Sequence, residues 1–133
     1  MDSPVNDPHV ALKLAMARGR EVSMALQIYH QAHDAWPTDL ASLVAEGMLK
    51  AGSLVNPRRP GKDPGFLYFP PTNETLPDEG VLFEPISDDQ GAVDGWPGNG
   101  LVVCYDGHVE QIENRGRYEA LLAQARGRSK EPK

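Results

Sequence analysis

Residues 98–112 read GNGLVVCYDGHVEQI. An apolar run over 101–105 meets Asp106-Gly107, and an alternating segment over 108–112 follows. An Asp-Gly pair between two such segments is among the strongest hairpin signals a chain carries. The cause is conformational: a type I′ turn needs positive φ at both central residues, and Asp and Gly accept this at low cost. The pattern predicts two antiparallel strands joined by a two-residue turn, with His108 opening the returning strand. It also sets Asp106 beside His108. A catalytic Asp-His pair needs a third group, a pocket and a nucleophile in position. The sequence supplies no obvious nucleophile there, so the motif Asp106, Gly107 and His108 is read as structural.

Residues 8–34 carry the second constraint. Pro8 suits a first helical position after Asp7, and no proline follows until Pro37. Ala11, Ala15, Val22, Ala25, Leu26, Tyr29 and Ala32 fall at helical spacing on one side, and Lys13, Arg20, Ser23, Gln27, His30 and Gln31 on the other. Val10, Leu14, Ala17, Met24 and Ile28 widen the apolar arc beyond what one sheet covers, which implies neighbours on more than one side. Arg18 interrupts the arc in the N-terminal half, so that half is expected to project from the domain. Trp36-Pro37 stops the helix. Thr38 is expected to cap a shorter one over 39–46 that ends near Gly47.

Pro and Gly then punctuate the chain. The loops are 51–65, 70–80 and 85–99; the strands are 66–69, 81–84, 101–105 and 108–112; a closing helix spans 117–126. Strands this close in sequence make an antiparallel sheet. The expected fold is α+β: a long N-terminal helix packed on a four-stranded antiparallel sheet, with a short second helix and a C-terminal helix. The 133 residues suffice for one domain, 1–133, with 1–7 and 128–133 as disordered ends.

Charge excludes a nucleic-acid surface. Residues 61–114 hold eleven acidic side chains against Lys62, and the basic residues of 115–133 read as solvated helix-end charge. The single cysteine, Cys104, rules out an internal disulfide. No stretch approaches the roughly 18 consecutive apolar residues of a membrane span, and residues 1–9 do not form a secretory signal.

Two segments carry a resemblance. VSMALQIYHQAHDAWPTDLASL, residues 22–43, resembles the end of the long helix in bacterial type IV pilin-like proteins and type II secretion pseudopilins. WPGNGLVVCYDGHVE, residues 96–110, resembles the motif of a pilin-like family common in planctomycetes and verrucomicrobia, a His, nine residues and Asp-Gly, usually continued as His-Val-Glu. Asp106 to Glu110 match, but the motif His falls on Trp96, so a role that depends on it does not carry over. The resemblance covers most of residues 10–125. It implies a non-enzymatic subunit of a pilus-like or type II secretion assembly in the bacterial periplasm, whose partners are other pilin or pseudopilin subunits met through the N-terminal helix. It also implies a basic leader, a peptidase site and a hydrophobic inner-membrane anchor of about 20 residues ahead of residue 1. None of these lies within residues 1–133. Truncation there, with Met1 added, is the simplest explanation, and a natural soluble relative is the alternative.

Other chemistry is sparse. Asp88, Asp89 and Asp94, with Gly91 and Gly95, make an oxygen-rich loop of the kind Ca²⁺ takes, and some major pseudopilins are similar in using a C-terminal acidic loop for calcium. The spacing is not that of an EF-hand, and a solvated acidic loop is the plainer reading. No other cofactor is expected. His30 and His33 lie three apart on a helix without a Cys or carboxylate spaced to complete a zinc site. No Gly-x-Ser-x-Gly elbow and no phosphate-cradling glycine motif occurs. Leu14, Met24, Ile28 and Trp96 are the candidate partner contacts. The alternative function is a small extracytoplasmic ligand- or peptide-binding module that uses the acidic loop face.

Overall fold

A computed structural model describes residues 8–58, 65–72, 74–86 and 98–130. The elements are α1 (Pro8–His33), α2 (Ala41–Ala45), a 3₁₀ turn (Ala51–Leu54), β1 (Leu67–Tyr68), β2 (Gly80–Phe83), β3 (Gly100–Cys104), β4 (Val109–Ile112) and α3 (Arg115–Lys130). The fold is α+β with an antiparallel sheet in the order β1-β2-β3-β4. Leu67 pairs with Phe83, Leu82 with Val103, and Val102 with Glu110; a bulge shifts the β2–β3 register between Gly80 and Leu82.

Both faces of the sheet are covered. Leu82 and Val103 pack with Val22, Ala25 and Leu26 of α1, Leu43 of α2 and Phe66. Phe83, Val102, Cys104 and Ile112 pack with Tyr118, Leu122 and Ala125 of α3. Every residue of β2 and β3 is buried. That is why these strands read as continuous apolar runs rather than as alternation.

Several local expectations are corrected. Asp39 supplies the α2 cap in place of Thr38: its carboxylate accepts the Ser42 N–H at 3.0 Å. The segment 51–65, expected to be loop, contains the 3₁₀ turn. Helix α3 starts at Arg115 because Asn114 Oδ1 accepts the Arg117 N–H at 2.9 Å. It runs on through 128–130, which were expected to be disordered; residues 1–7 and 131–133 lie outside the described residues.

The largest correction concerns α1. Its N-terminal half does not project. Ala11 and Ala15 are buried, and a Cβ built on Gly19 lies 2.9 Å from Val103 Cγ2. Small residues four apart let the helix backbone come down onto β3, and the side chain of Arg18 reaches over to donate to Val55 O at 2.7 Å. Ser23, placed on the polar side by pattern, is buried, and Ala32, placed on the apolar side, is exposed. Ser23 lies under the β3–β4 tip, where a Cβ built on Gly107 would come within 3.4 Å of its Oγ, a neighbour that apolar periodicity does not register. Among the described residues, no helix is long and apolar enough to cross a membrane.

Candidate functional site

The β3–β4 tip is built by a short set of hydrogen bonds. The Gly107 N–H donates to Cys104 O at 2.8 Å, and the Cys104 N–H donates to His108 O at 2.9 Å. Tyr105, Asp106 and Gly107 therefore form a three-residue loop. Gly107 has φ 96°, and Asp106 is not left-handed. This is the bulged hairpin with a left-handed glycine, not the expected two-residue type I′ turn. Two forces select it. The Asp106 carboxylate accepts the His108 N–H at 3.0 Å. The Tyr105 and Asp106 N–H groups donate to Glu79 O and Pro77 O, which ties the tip to the preceding loop.

Past the tip, strand alternation puts His108 and Glu110 on one face. His108 Nδ1 meets Asp106 Oδ1, and His108 Nε2 lies 2.7 Å from Glu110 Oε2. The other oxygen of Glu110 accepts from Arg117 Nη1 of α3 at 2.7 Å. Its hydrogen bonds to Glu110 and Asp106 raise the His108 pKa above the usual 6.5. Bonding to the His108 backbone, and then to its ring, lowers Asp106. His108, followed by Arg117, lowers Glu110. Beneath them lies the buried Cys104, whose thiol is pushed up to about 12 by burial, then by Glu110 and Asp106. One atom each from Cys104, His108 and Glu110 lie within 4.8 Å of one another. The Asp-His pair thus exists, with Glu110 as a third group.

A second polar cluster sits at the opposite end of the sheet. Glu84 is 0% exposed. Its Oε1 accepts the Leu101 N–H at 2.9 Å and lies 3.3 Å from Arg58 Nη2; its Oε2 accepts from Asn56 Nδ2 at 2.9 Å. Asn56 also donates to Gly65 O at 3.1 Å, and Arg58 reaches Asn99 Oδ1. The Tyr118 hydroxyl donates to Glu84 O. This carboxylate is paired with a guanidinium and hydrogen-bonded in place, which suits a structural pin more than a reacting group.

The remaining candidates separate. Leu14 is half-buried, while Val10, Met24 and Ile28 are exposed at 48%, 66% and 50%. Asp88, Asp89, Asp94 and Trp96 lie outside the described residues. His30 and His33 face different partners: His30 stacks on Trp36 at 4.2 Å, and His33 packs on Tyr29 and meets Glu46 at 3.2 Å. A cleft of about 10 Å³ beside Ser23, Trp36 and Tyr105 has room for one water at most. A polar groove of about 350 Å³, open to solvent, runs between Thr72, Glu74 and Glu79 and the α3 residues Ala123, Gln124 and Gly127.

The sequence reading missed Cys104 and Arg117 as neighbours of His108, and it missed the Glu84 cluster altogether. Strand pairing carries a signal for the first only in the bulged register, where Cys104 stands across from His108; the two-residue tip would set Cys104 across from Val109 and turn the two side chains to opposite faces. For the second the signal is a charged residue ending the apolar run VLFE. No family model matches the chain, and neither a curated protein nor a solved structure is found to be significantly similar to it.

Proposed function

We propose that the protein is a non-enzymatic structural subunit of a bacterial extracytoplasmic assembly of the type IV pilus or type II secretion kind, and that α1 joins it to other subunits. The observation that carries this reading is the outer face of α1. Its inner face is used by the protein's own sheet, yet Val10, Met24 and Ile28 stand exposed along the other side. At 1.5 Å per residue they span roughly 27 Å. Burying each is worth roughly 1.5–3 kcal/mol, so a partner helix laid along this face has a driving force that water does not offer. The likeness of residues 22–43 and 96–110 to pilin-like segments supports the same reading.

The test uses the full-length protein in its host. Met24→Cys and Ile28→Cys should give disulfide-linked dimers through α1, and Met24→Glu with Ile28→Glu should abolish assembly while the isolated domain melts as before. Assembly that survives the double substitution, with no cross-link from either cysteine, would rule out the α1 interface.

A further inference from the structure

The cluster under the hairpin tip has the composition of a transition-metal site, and its surroundings are arranged as such sites are. Cys104 N–H donates to His108 O, so the two residues face each other across the β3–β4 ladder. Glu110 lies two residues along the same strand and on the same face, opposite Val102. A thiol sulfur, an imidazole nitrogen and a carboxylate oxygen therefore converge from three backbone positions that the ladder fixes. Their mutual separation is within 4.8 Å. Bonds of about 2.3 Å to sulfur and about 2.0–2.2 Å to nitrogen and oxygen place tetrahedral ligands roughly 3.3–3.7 Å apart. Cys104 is held in the core, whereas the side chains of His108 and Glu110 are partly exposed, at 42% and 28%. Rotation of those two side chains would bring the three atoms to that spacing, with the Nε2–Oε2 pair opening from 2.7 Å.

Two further contacts orient the ligands. Asp106 holds His108 Nδ1, which leaves Nε2 to face Glu110 as the ligating nitrogen. Arg117 holds Glu110 Oε1, which leaves Oε2 facing the imidazole. A carboxylate behind a ligating histidine and a donor behind a ligating carboxylate are the usual outer contacts of zinc sites. We propose that Cys104, His108 and Glu110 bind a divalent transition-metal ion of the zinc class, with Asp106 and Arg117 as positioning residues. The ion takes the place of the proton between His108 Nε2 and Glu110, and that proton and the Cys104 thiol proton both leave to solvent as the metal–nitrogen and metal–sulfur bonds form. Solvent access past His108 leaves the fourth position to water. A thiolate and an imidazole select zinc-like ions over Ca²⁺ and Mg²⁺, which take hard oxygen ligands. The site is independent of the α1 interface.

The test is a titration of chelator-treated protein with Co²⁺, then with Zn²⁺. The wild type should give a 1:1 complex with a sulfur-to-cobalt charge-transfer band and tetrahedral ligand-field bands. Zn²⁺ should displace the cobalt and raise the melting temperature. Cys104→Ser should lose the charge-transfer band, with its fold checked by circular dichroism. His108→Ala and Glu110→Gln should each weaken binding, and Asp106→Asn and Arg117→Met should weaken it about 10–100-fold with the band shape kept. The sulfur band separates this site from any surface pairing of His30 and His33. Two outcomes overturn the proposal. One is a folded wild type with no sulfur band at millimolar Co²⁺. The other is a band unchanged in the His108→Ala, Glu110→Gln double variant.

Discussion

Glu84 and Leu101 close the β2–β3 ladder with a side chain in place of a carbonyl. The Glu84 N–H donates to Leu101 O at 3.0 Å, and the Leu101 N–H returns to Glu84 Oε1 at 2.9 Å. The Glu84 carbonyl is thereby released to accept the Tyr118 hydroxyl. One buried residue thus ties the sheet to α3 and, through Asn56 and Arg58, to the chain that leads into β1.

Asn56→Ala tests that tie. It removes the Nδ2 bonds to Glu84 and Gly65 and the Oδ1 bond from the Arg58 N–H. Hydrogen bonds to a charged group are worth about 1.5–3 kcal/mol, and the carboxylate left behind is buried. Denaturant unfolding should show a loss of at least about 1.5 kcal/mol. A change under 0.5 kcal/mol, on the order of a neutral surface substitution, would show the pin to be idle.

Gly19 tests the docking of α1. A leucine there has no space, because even a Cβ meets Val103 at 2.9 Å. Overpacking of this kind costs roughly 1–3 kcal/mol, so Gly19→Leu should lower the melting temperature despite the better helix propensity of leucine. Leu26→Ala, at a fully buried position, should cost about 2–5 kcal/mol. Leu14→Glu, at a half-buried position, should cost less than either.

Gly107 is left-handed at φ 96°. Gly107→Ala should destabilise by about 1 kcal/mol, read from denaturant midpoints, through strain rather than lost contact. A neutral result would show that the tip relaxes to another turn.

The polar row beyond the tip predicts a pH profile, best measured in metal-free buffer. The His108 pKa is raised in the folded protein, so its contribution to stability is complete below the ordinary 6.5 and fades as pH climbs through the higher folded value. Asp106 and Glu110 are lowered from 3.8 and 4.5, so their contribution is complete above those values and fades as pH falls through the folded ones. Stability should be highest between about 4.5 and 6.5. His108→Gln should flatten the alkaline side of the profile, and an unaltered slope there would show that His108 is not the titrating group.

What the chain's pattern reveals depends on the period of each contact. The span of α1, the number and order of strands and the placement of the turn follow from apolar spacing and from Asp-Gly. The bulged form of the turn does not, because bonds from Tyr105 and Asp106 to Glu79 and Pro77 select it, and these are distant in sequence. Arg18 misleads by its charge, since its long stem passes over the packed surface while its head finds Val55 O. Cys104, His108 and Glu110 are adjacent only once register is known, and a one-residue slip would turn them apart. The outer face of α1 was visible as an arc too wide for one sheet, but the share of it that stays exposed depended on how Ala11, Ala15 and Gly19 seat the helix.

Glu84 and Leu101 also have a bearing on how this protein can diversify. Pairing of β2 with β3 is completed at the near side by one and resumed at the far side by the other, so the register does not depend on the length of chain between them. Lengthening such a connection costs only about 0.6 kcal/mol for each doubling. A change in the length of chain between Glu84 and Leu101 should therefore leave the sheet's alignment in place, and a graft inserted there should be carried as cargo without retuning the core.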